Sequence, residues 1–356
     1  GAGEARPPAT TGESAPPFET LGTEARELLM QASNVDSETA LSLLGQANER
    51  LSAALPLAPD EASRTEIETL QGRIPERLGT TTTTPNFPTT TIATLPAGAA
   101  PAELVAAGSE LYLLDNASGT LYRLPASAAG TLEPLITSGA VLDSLGSMGT
   151  MSLLAHMPAT ETRPSGALLI QTNEGQLFQV EGDTITQATF WPVASAGYRG
   201  TATYENNYYV LDPSAPQIWK YVPDETGDYT ANPTSWLQPE GQQLLANPVD
   251  LAIDGTIFVL EGDGRVLRFQ AGLPLADFAL QGAALTQPVA LAKLPPEESD
   301  LFVAEANRVL RFGADGAFVT DYASPTWGTI RDIAVNADGT ALFVLSDVGV
   351  QRVELQ

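Results

Sequence analysis

The stretch "NPVDLAIDGTIFVLEGDGRVLRF", Asn247–Phe269, alternates short apolar runs with turns. Its central run "TIFVL" is β-branched and aromatic, as strands prefer, and "RVLRF" alternates charged and apolar side chains. The turn "GDG" supplies residues that tolerate positive φ between antiparallel strands. The stretch therefore predicts short antiparallel strands joined by tight turns.

Almost the same phrase recurs as "QPVALAKLPPEESDLFVAEANRVLRF", Gln287–Phe312. More degraded copies begin at Pro101, Met151, Arg199 and Ile330, which makes six in all. Their period of roughly 40 to 50 residues is typical of propeller blades, each a four-stranded antiparallel sheet. The repeats therefore predict a six-bladed β-propeller.

Two further features of the repeats refine this prediction. In the copy that begins at Asn247 we expect the outer strand at Leu275–Leu280. The last copy ends after three strands, whereas a spare strand precedes the first copy at residues 89–95. If this strand pairs with the last blade, the ring has no open joint. The propeller is therefore predicted to span residues 89–356.

The chain before the propeller divides into three parts. Residues 1–20 have the composition of a flexible linker, residues 21–79 have helical periodicity, and residues 80–91 form a Thr/Pro-rich connector. The last helix is expected to kink or fray at Pro75 and to end at Gly79. The predicted fold class is mainly β, a six-bladed β-propeller preceded by a small α-helical hairpin or three-helix module.

Composition excludes several classes of function. The 356 residues include 43 acidic and 17 basic groups, a formal charge of -26, and Cys 0. This charge would repel a nucleic-acid backbone, and the lack of cysteine excludes thiol chemistry. No run reaches the ~20 apolar residues of a membrane span. We expect an extracytoplasmic domain, at the cell surface or in the periplasm, that meets a membrane only through an N-terminal anchor missing from this sequence.

Acidic residues recur where the predicted inner strands begin. The aligned copies place Glu103, Asp250 and Asp332 in equivalent positions, with Ala290 in the fifth copy and Gly or Thr near Thr150 and Thr201 in the other two. In a propeller these carboxylates surround one mouth of the central channel. They are predicted either to bind a hard divalent cation such as Ca²⁺, as the one cofactor considered, or to accept backbone N–H groups from the adjoining blade.

Aromatic residues and arginines in the connections between blades form a second candidate site. Such residues are enriched where proteins, peptides or glycans bind, and loops on a rigid scaffold often carry function. The predicted ligand-binding residues are Trp191, Tyr198, Arg199, Trp236, Trp327 and Arg331. His156 is the single histidine, so a multi-histidine metal site is excluded, and no catalytic residues are assigned.

The repeat "NPVDLAIDGTIFVLEGDGRVLRF" resembles the NHL-type repeat of six-bladed propellers. The order of helical spacer, Thr/Pro connector and propeller resembles the extracytoplasmic region of bacterial membrane proteins with a PPM-type Ser/Thr phosphatase or kinase domain. The resemblance implies a non-enzymatic ligand- or protein-binding domain that acts as a sensor or scaffold. The alternative is a divalent-metal-dependent, lactonase-like hydrolase that uses the acidic positions.

Overall fold

The computed structural model describes residues 17–32, 37–81, 87, 89–127, 129–161, 166–195, 197–275, 278–293 and 299–355. The chain divides into two compact units, residues 1–83 and residues 84–356. Residues 1–16 of the predicted linker, and residues 82–86 and 88 of the predicted connector, lie outside the described part.

The first unit is helical. Its elements are α1 (Pro17–Gln31), α2 (Ser37–Ala54), a 3₁₀ turn (Leu55–Leu57) and α3 (Glu61–Thr81). Leu44 and Leu51 of α2 are buried together with Ile67 of α3, which gives the helices a shared apolar core. Helix α3 continues through Pro75 and past Gly79, so the predicted end at Gly79 is wrong. A proline removes one backbone hydrogen bond, and here the helix tolerates that loss. Within the described helices, none combines the length and apolar character needed to cross a membrane.

The second unit is a six-bladed β-propeller made of six four-stranded sheets. Blade 1 contains β2 (Pro101–Ala107), β3 (Glu110–Asp115), β4 (Thr120–Pro125) and β5 (Glu133–Thr137). A small hairpin, β6 (Val141–Leu142) and β7 (Gly146–Ser147), leads to blade 2, which contains β8 (Met151–Met157), β9 (Ala167–Thr172), β10 (Leu177–Glu181) and β11 (Thr184–Ala188). Blade 3 contains β12 (Thr201–Tyr204), β13 (Asn207–Asp212), β14 (Gln217–Tyr221) and β15 (Thr234–Ser235), and is followed by the short helix α4 (Pro239–Gln242).

The remaining three blades repeat this pattern. Blade 4 contains β16 (Pro248–Ile253), β17 (Ile257–Glu261), β18 (Val266–Gln270) and β19 (Leu273–Pro274). Blade 5 contains β20 (Pro288–Lys293), β21 (Leu301–Glu305), β22 (Arg308–Phe312) and β23 (Phe318–Tyr322). Blade 6 contains β24 (Ile330–Val335), β25 (Ala341–Ser346) and β26 (Gly349–Glu354), and its outer strand is β1 (Thr89–Thr94).

The six blades form a closed ring. The inner strands contact one another in the order β2, β8, β12, β16, β20 and β24, and β24 contacts β2 again. Strand β1 pairs antiparallel with β26, where Thr90 lies opposite Arg352. The Thr91 hydroxyl also donates a hydrogen bond of 3.1 Å to the Gln351 side chain. The first and last strands of the propeller thus share one sheet, which leaves no joint open.

The hydrophobic core lies between neighbouring blades. Leu113 of blade 1 belongs to the same buried cluster as Phe343 of blade 6, and Leu169 of blade 2 packs in one cluster with Val210 of blade 3. Each blade therefore buries both faces of its central strands, which a single sheet cannot do alone.

The outer strands of blades 3 and 4 are short, with two residues each. In blade 4 the outer strand is Leu273–Pro274 rather than the predicted Leu275–Leu280, of which residues 276–277 lie outside the described part. An outer strand has a neighbour on one side only, and its sequence is therefore less constrained by packing.

Candidate functional site

The central channel is a cavity lined by the three predicted acids and two of the predicted arginines. It has a volume of about 470 Å³ and is lined by the inner strands of all six blades. We call the end of the channel at which the inner strands begin the entry mouth. At this end five inner strands contain a β-bulge, and in blade 3 the Arg199 N–H and the Gly200 carbonyl both bond to Leu211 in the same arrangement. We call the six bulged residues the bulge ring: Ala102, Ser152, Arg199, Val249, Val289 and Arg331.

The residue after each bulge occupies an equivalent position in every blade. Glu103, Asp250 and Asp332 take this position in blades 1, 4 and 6, as the repeat alignment predicts. The strand register puts Leu153 and Gly200 there in blades 2 and 3, rather than Thr150 and Thr201. Gly200 agrees with the Gly or Thr expected in blade 3, whereas Leu153 stands where a Gly or Thr near Thr150 was expected in blade 2.

Each of the three carboxylates connects two adjacent blades. The Leu154 N–H of blade 2 donates to Glu103 at 2.7 Å, and the Leu104 N–H of blade 1 donates to Asp332 at 2.6 Å. The Leu291 N–H of blade 5 donates to Asp250 at 2.8 Å. We call these three bonds the interblade latches. They match the second of the two predicted roles, in which the acids hold the ring together.

Two of the latching acids also bond to their own blade. The second oxygen of Asp250 accepts the Leu251 N–H at 2.7 Å, and the second oxygen of Asp332 accepts the Ile333 N–H at 2.7 Å. The preceding blades offer no carboxylate at the equivalent position, because Gly200 and Ala290 stand there. In blades 4 and 6, the inner-strand N–H group that a carboxylate of the preceding blade would accept therefore bonds to the blade's own acid, Asp250 or Asp332.

Burial makes these three carboxyl groups weaker acids. It raises the pKa of Asp250 from 3.8 to about 7. Burial, followed by the charge of Asp332, raises the pKa of Glu103 well above its ordinary value, and burial, followed by the charge of Asp250, does the same for Asp332. The channel wall consequently carries less negative charge at neutral pH than its composition indicates.

The geometry does not assemble these acids into a metal site. Among the residues that the structure describes, no group of three or more Asp, Glu or His side chains is placed to hold a metal ion. Glu103, Asp250 and Asp332 already accept one or two backbone hydrogen bonds each. Binding of Ca²⁺ at this position stays a prediction, and the contacts around the acids do not support it.

The six predicted ligand-binding residues do not form one surface. Arg199 and Arg331 are exposed and line the channel, as predicted. Trp327 is 1% exposed and belongs to the core between blades 5 and 6, so its assignment to a loop surface is wrong. Large aromatic side chains fill the space between blades, and burial of their area outweighs any role at the surface.

The other three aromatic residues are not part of the channel wall, although Tyr198 directly precedes Arg199 in the chain. Trp236 is half-buried against Tyr209, with ring centroids 6.4 Å apart. Tyr198 is half-buried, and its hydroxyl donates to the Val193 carbonyl. Trp191 is 59% exposed, and none of the three lines the channel. His156 lines the channel, as predicted for a residue of this inner strand, and its carbonyl accepts a hydrogen bond of 2.5 Å from the Thr203 hydroxyl.

A second set of acids lies at the ends of the second strands, and sequence reasoning singled out only Glu261 among them. Asp115 accepts the Ala100 N–H at 2.6 Å and the Ser118 hydroxyl at 2.6 Å, and Glu305 accepts the Thr286 N–H at 2.6 Å. Burial opposes ionisation of Asp115, yet hydrogen bonds from Ser118 and Ala100 hold its pKa below the ordinary value. The recurrent endings "LYLLD", "YYVLD", "IFVLE" and "LFVAE" are the signal that identifies this set, which comprises Asp115, Asp212, Glu261 and Glu305.

A buried ion pair lies where the inner strands of blades 4 and 5 end. The Lys293 ammonium is 3.1 Å from Asp254, and both side chains are 1% exposed. The ammonium also lies 5.2 Å from the centre of the Phe258 ring and donates to the Ser299 carbonyl. Lys293 is therefore held in place by partners from both blades.

Comparisons with known proteins identify the fold and nothing finer. No family model and no curated protein matches the chain. A gluconolactonase from Xanthomonas campestris aligns with a TM-score of 0.52 at 12% identity, over 75% of this chain and 89% of that one. The structure of U3-55K aligns with a TM-score of 0.53 at 10% identity, over 75% of this chain and 98% of that one. At such identities the likeness supports a propeller fold and does not carry a function.

Proposed function

We propose that the propeller is a non-enzymatic binding domain, a sensor or scaffold, whose ligand enters the central channel at the entry mouth. The observation that carries this proposal is the engagement of Glu103, Asp250 and Asp332 in the interblade latches. Because these acids hold the blades together, the channel has a rigid wall before any ligand arrives. Preformed concave sites of this kind are the usual location of small-ligand binding, and the volume of about 470 Å³ is in the range of such sites.

The second candidate is a divalent-metal-dependent hydrolase, to which the likeness to a gluconolactonase gives some support. Such an enzyme needs several oxygen ligands directed at one ion, whereas the central carboxylates of this propeller point their oxygens at backbone N–H groups. A Ca²⁺-dependent rise in the melting temperature that disappears in Asp250→Ala and Asp332→Ala would favour the hydrolase. We expect no such rise.

A variant that fills the channel tests the binding proposal. Ala102 belongs to the bulge ring and lines the channel, so Ala102→Trp should obstruct the entry mouth. Val141 is 76% exposed on the β6–β7 hairpin, which makes Val141→Trp a matched control. A library of neutral and charged fragments is screened by ligand-observed NMR against the three proteins.

Fragments that bind the wild type and Val141→Trp, but not Ala102→Trp, support a ligand site in the channel. A screen in which no fragment distinguishes Ala102→Trp from the other two proteins contradicts the proposal. Circular dichroism of Ala102→Trp confirms that the variant is folded before its binding is compared.

We also propose an extracytoplasmic location with a membrane tether, on the basis of the Thr/Pro-rich connector and the resemblance of the domain order. The measurement is protease digestion of intact cells that express the full-length protein. Cleavage of the propeller or connector in intact cells, or in spheroplasts whose outer membrane has been opened, supports this location, and protection until the inner membrane is lysed contradicts it.

A further inference from the structure

Two arginines of the propeller differ from its other cationic side chains. Within the described part of the propeller, every other lysine or arginine contacts a carboxylate or an aromatic ring, whereas Arg199 and Arg331 contact neither. The paired cations are Arg123, Lys220, Arg265, Arg268, Lys293, Arg308, Arg311 and Arg352. A chain with a net charge of -26 has acidic groups in excess, so two unpaired cations in its folded domain call for a specific explanation.

The same two arginines occupy equivalent positions on opposite sides of the channel. Both belong to the bulge ring, Arg199 in blade 3 and Arg331 in blade 6, and both line the cavity. In a ring of six blades, the third and the sixth face each other across the axis. The remaining members of the bulge ring are small or apolar, so the two guanidinium groups are the charged groups of that ring.

The acids near the entry mouth are engaged elsewhere. Glu174 accepts hydrogen bonds from the Thr150 N–H and hydroxyl, at 2.7 and 2.9 Å. Asp347 accepts the Thr329 N–H at 2.9 Å, and the carboxyl groups one residue beyond the bulge ring form the interblade latches. None of these contacts involves a guanidinium group, so the positive charge of the two arginines remains available to a ligand.

We infer that the channel binds a small molecule with two oxyanion groups, one held by Arg199 and the other by Arg331. This inference rests on the proposed function, because it names the ligand class of the same channel. A guanidinium presents a planar fork of N–H donors that matches a carboxylate or a phosphate, and two such groups on opposite blades of one channel favour a ligand charged at both ends. Carboxylate and phosphate share this chemistry, and the experiment distinguishes them.

Isothermal titration calorimetry at low ionic strength tests the inference with citrate and tripolyphosphate as probes and glucose as the neutral comparison. The variants are Arg199→Gln, Arg331→Gln and the double substitution. Arg265→Gln is the matched control, because Arg265 is an exposed arginine on a turn after the second strand, paired with Asp263. We expect each channel substitution to weaken binding by about 10- to 100-fold, as loss of a charge-assisted hydrogen bond does, and the control to change it less than about twofold.

Tighter binding of citrate than of tripolyphosphate identifies carboxylate as the recognised group, and the reverse order identifies phosphate. The inference is overturned if neither anion binds, if both channel variants bind as the wild type does, or if Arg265→Gln weakens binding equally. Failure of this inference can be distinguished from failure of the proposed function. If neutral fragments bind the wild-type channel and do not bind Ala102→Trp, while neither anion binds the wild type, the binding function stands and the anionic ligand class is wrong.

Discussion

The stability of the propeller should depend on pH through the carboxyl group of Asp250. Its pKa is 3.8 in the unfolded chain and about 7 in the folded protein, because burial disfavours the charged form. The folded state therefore binds this proton more tightly than the unfolded chain between these two values. The stabilisation is complete below the unfolded pKa and is lost as pH rises through the folded pKa.

The two pKa values set the size of the effect. Between pH 5 and pH 8 this one group should lower the free energy of unfolding by about 2.5 kcal/mol, with a slope of at most about 1.4 kcal/mol per pH unit. Glu103 and Asp332 change in the same direction, since their pKa values are also raised. Acids whose pKa is lowered, such as Asp115, are ionised in both states above about pH 5 and contribute little in this range.

Urea denaturation followed by circular dichroism at pH 5, 6, 7 and 8 measures the effect. Asp250→Asn replaces the carboxyl with an amide that does not titrate, so its free energy of unfolding should fall less between pH 5 and pH 8 than that of the wild type. Asp263→Asn, at an exposed acid of the same blade whose pKa is lowered, should keep the slope of the wild type. A wild-type stability that is flat or rises from pH 5 to pH 8 would refute the reasoning.

Three further substitutions test other contacts. Lys293→Ala leaves Asp254 buried without its ion partner and should lower the free energy of unfolding by about 3–5 kcal/mol. The double variant Lys293→Met with Asp254→Asn should lose clearly less stability. Equal losses of the two variants in urea denaturation would contradict this account. A side chain at Gly349 would place its Cβ 2.2 Å from a backbone oxygen of β1, so Gly349→Val should lower the melting temperature and expose β1 to protease. Gly197→Ala is the control, because a Cβ at Gly197 meets no atom within 4 Å, and it should have neither effect. Asp115→Ala orphans several N–H donors at once and should lower the free energy of unfolding by about 2–4 kcal/mol, and a loss below about 0.5 kcal/mol would show that the loop it holds is not important for stability.

The inner three strands of each blade could be predicted because their sequences follow one rule. A segment such as Ile257–Glu261 is buried on both faces, and this requirement leaves a run of β-branched and aromatic residues in the sequence. The outer strands follow no such rule, so the position of Leu273–Pro274 was not predictable from periodicity.

The candidate site was predictable in its residue types and in the kind of contact that its acids make, but not in the partners of those contacts. Alignment of the copies finds Asp250 and Asp332 at equivalent positions, but the bonds to Leu291 and Leu104 depend on which blades are neighbours and on the bulge in each inner strand. The exposure of aromatic residues was equally hidden. Trp327 lies in a connection between blades, as Trp191 does, yet the first is in the core and the second is exposed. The sequence of a loop does not indicate which of its large side chains is buried between the blades.

The pairing of β1 with β26 has a consequence for synthesis. Thr91 and Gln351, which are bonded to each other in the finished ring, are 260 positions apart in the chain. During translation β1 is the first strand of the propeller to be made, but it can pair with β26 only after nearly the whole domain has left the ribosome. Blades 1 to 5 can each form their sheet as they emerge, whereas blade 6 is completed last, in a step that joins the oldest and the newest parts of the domain.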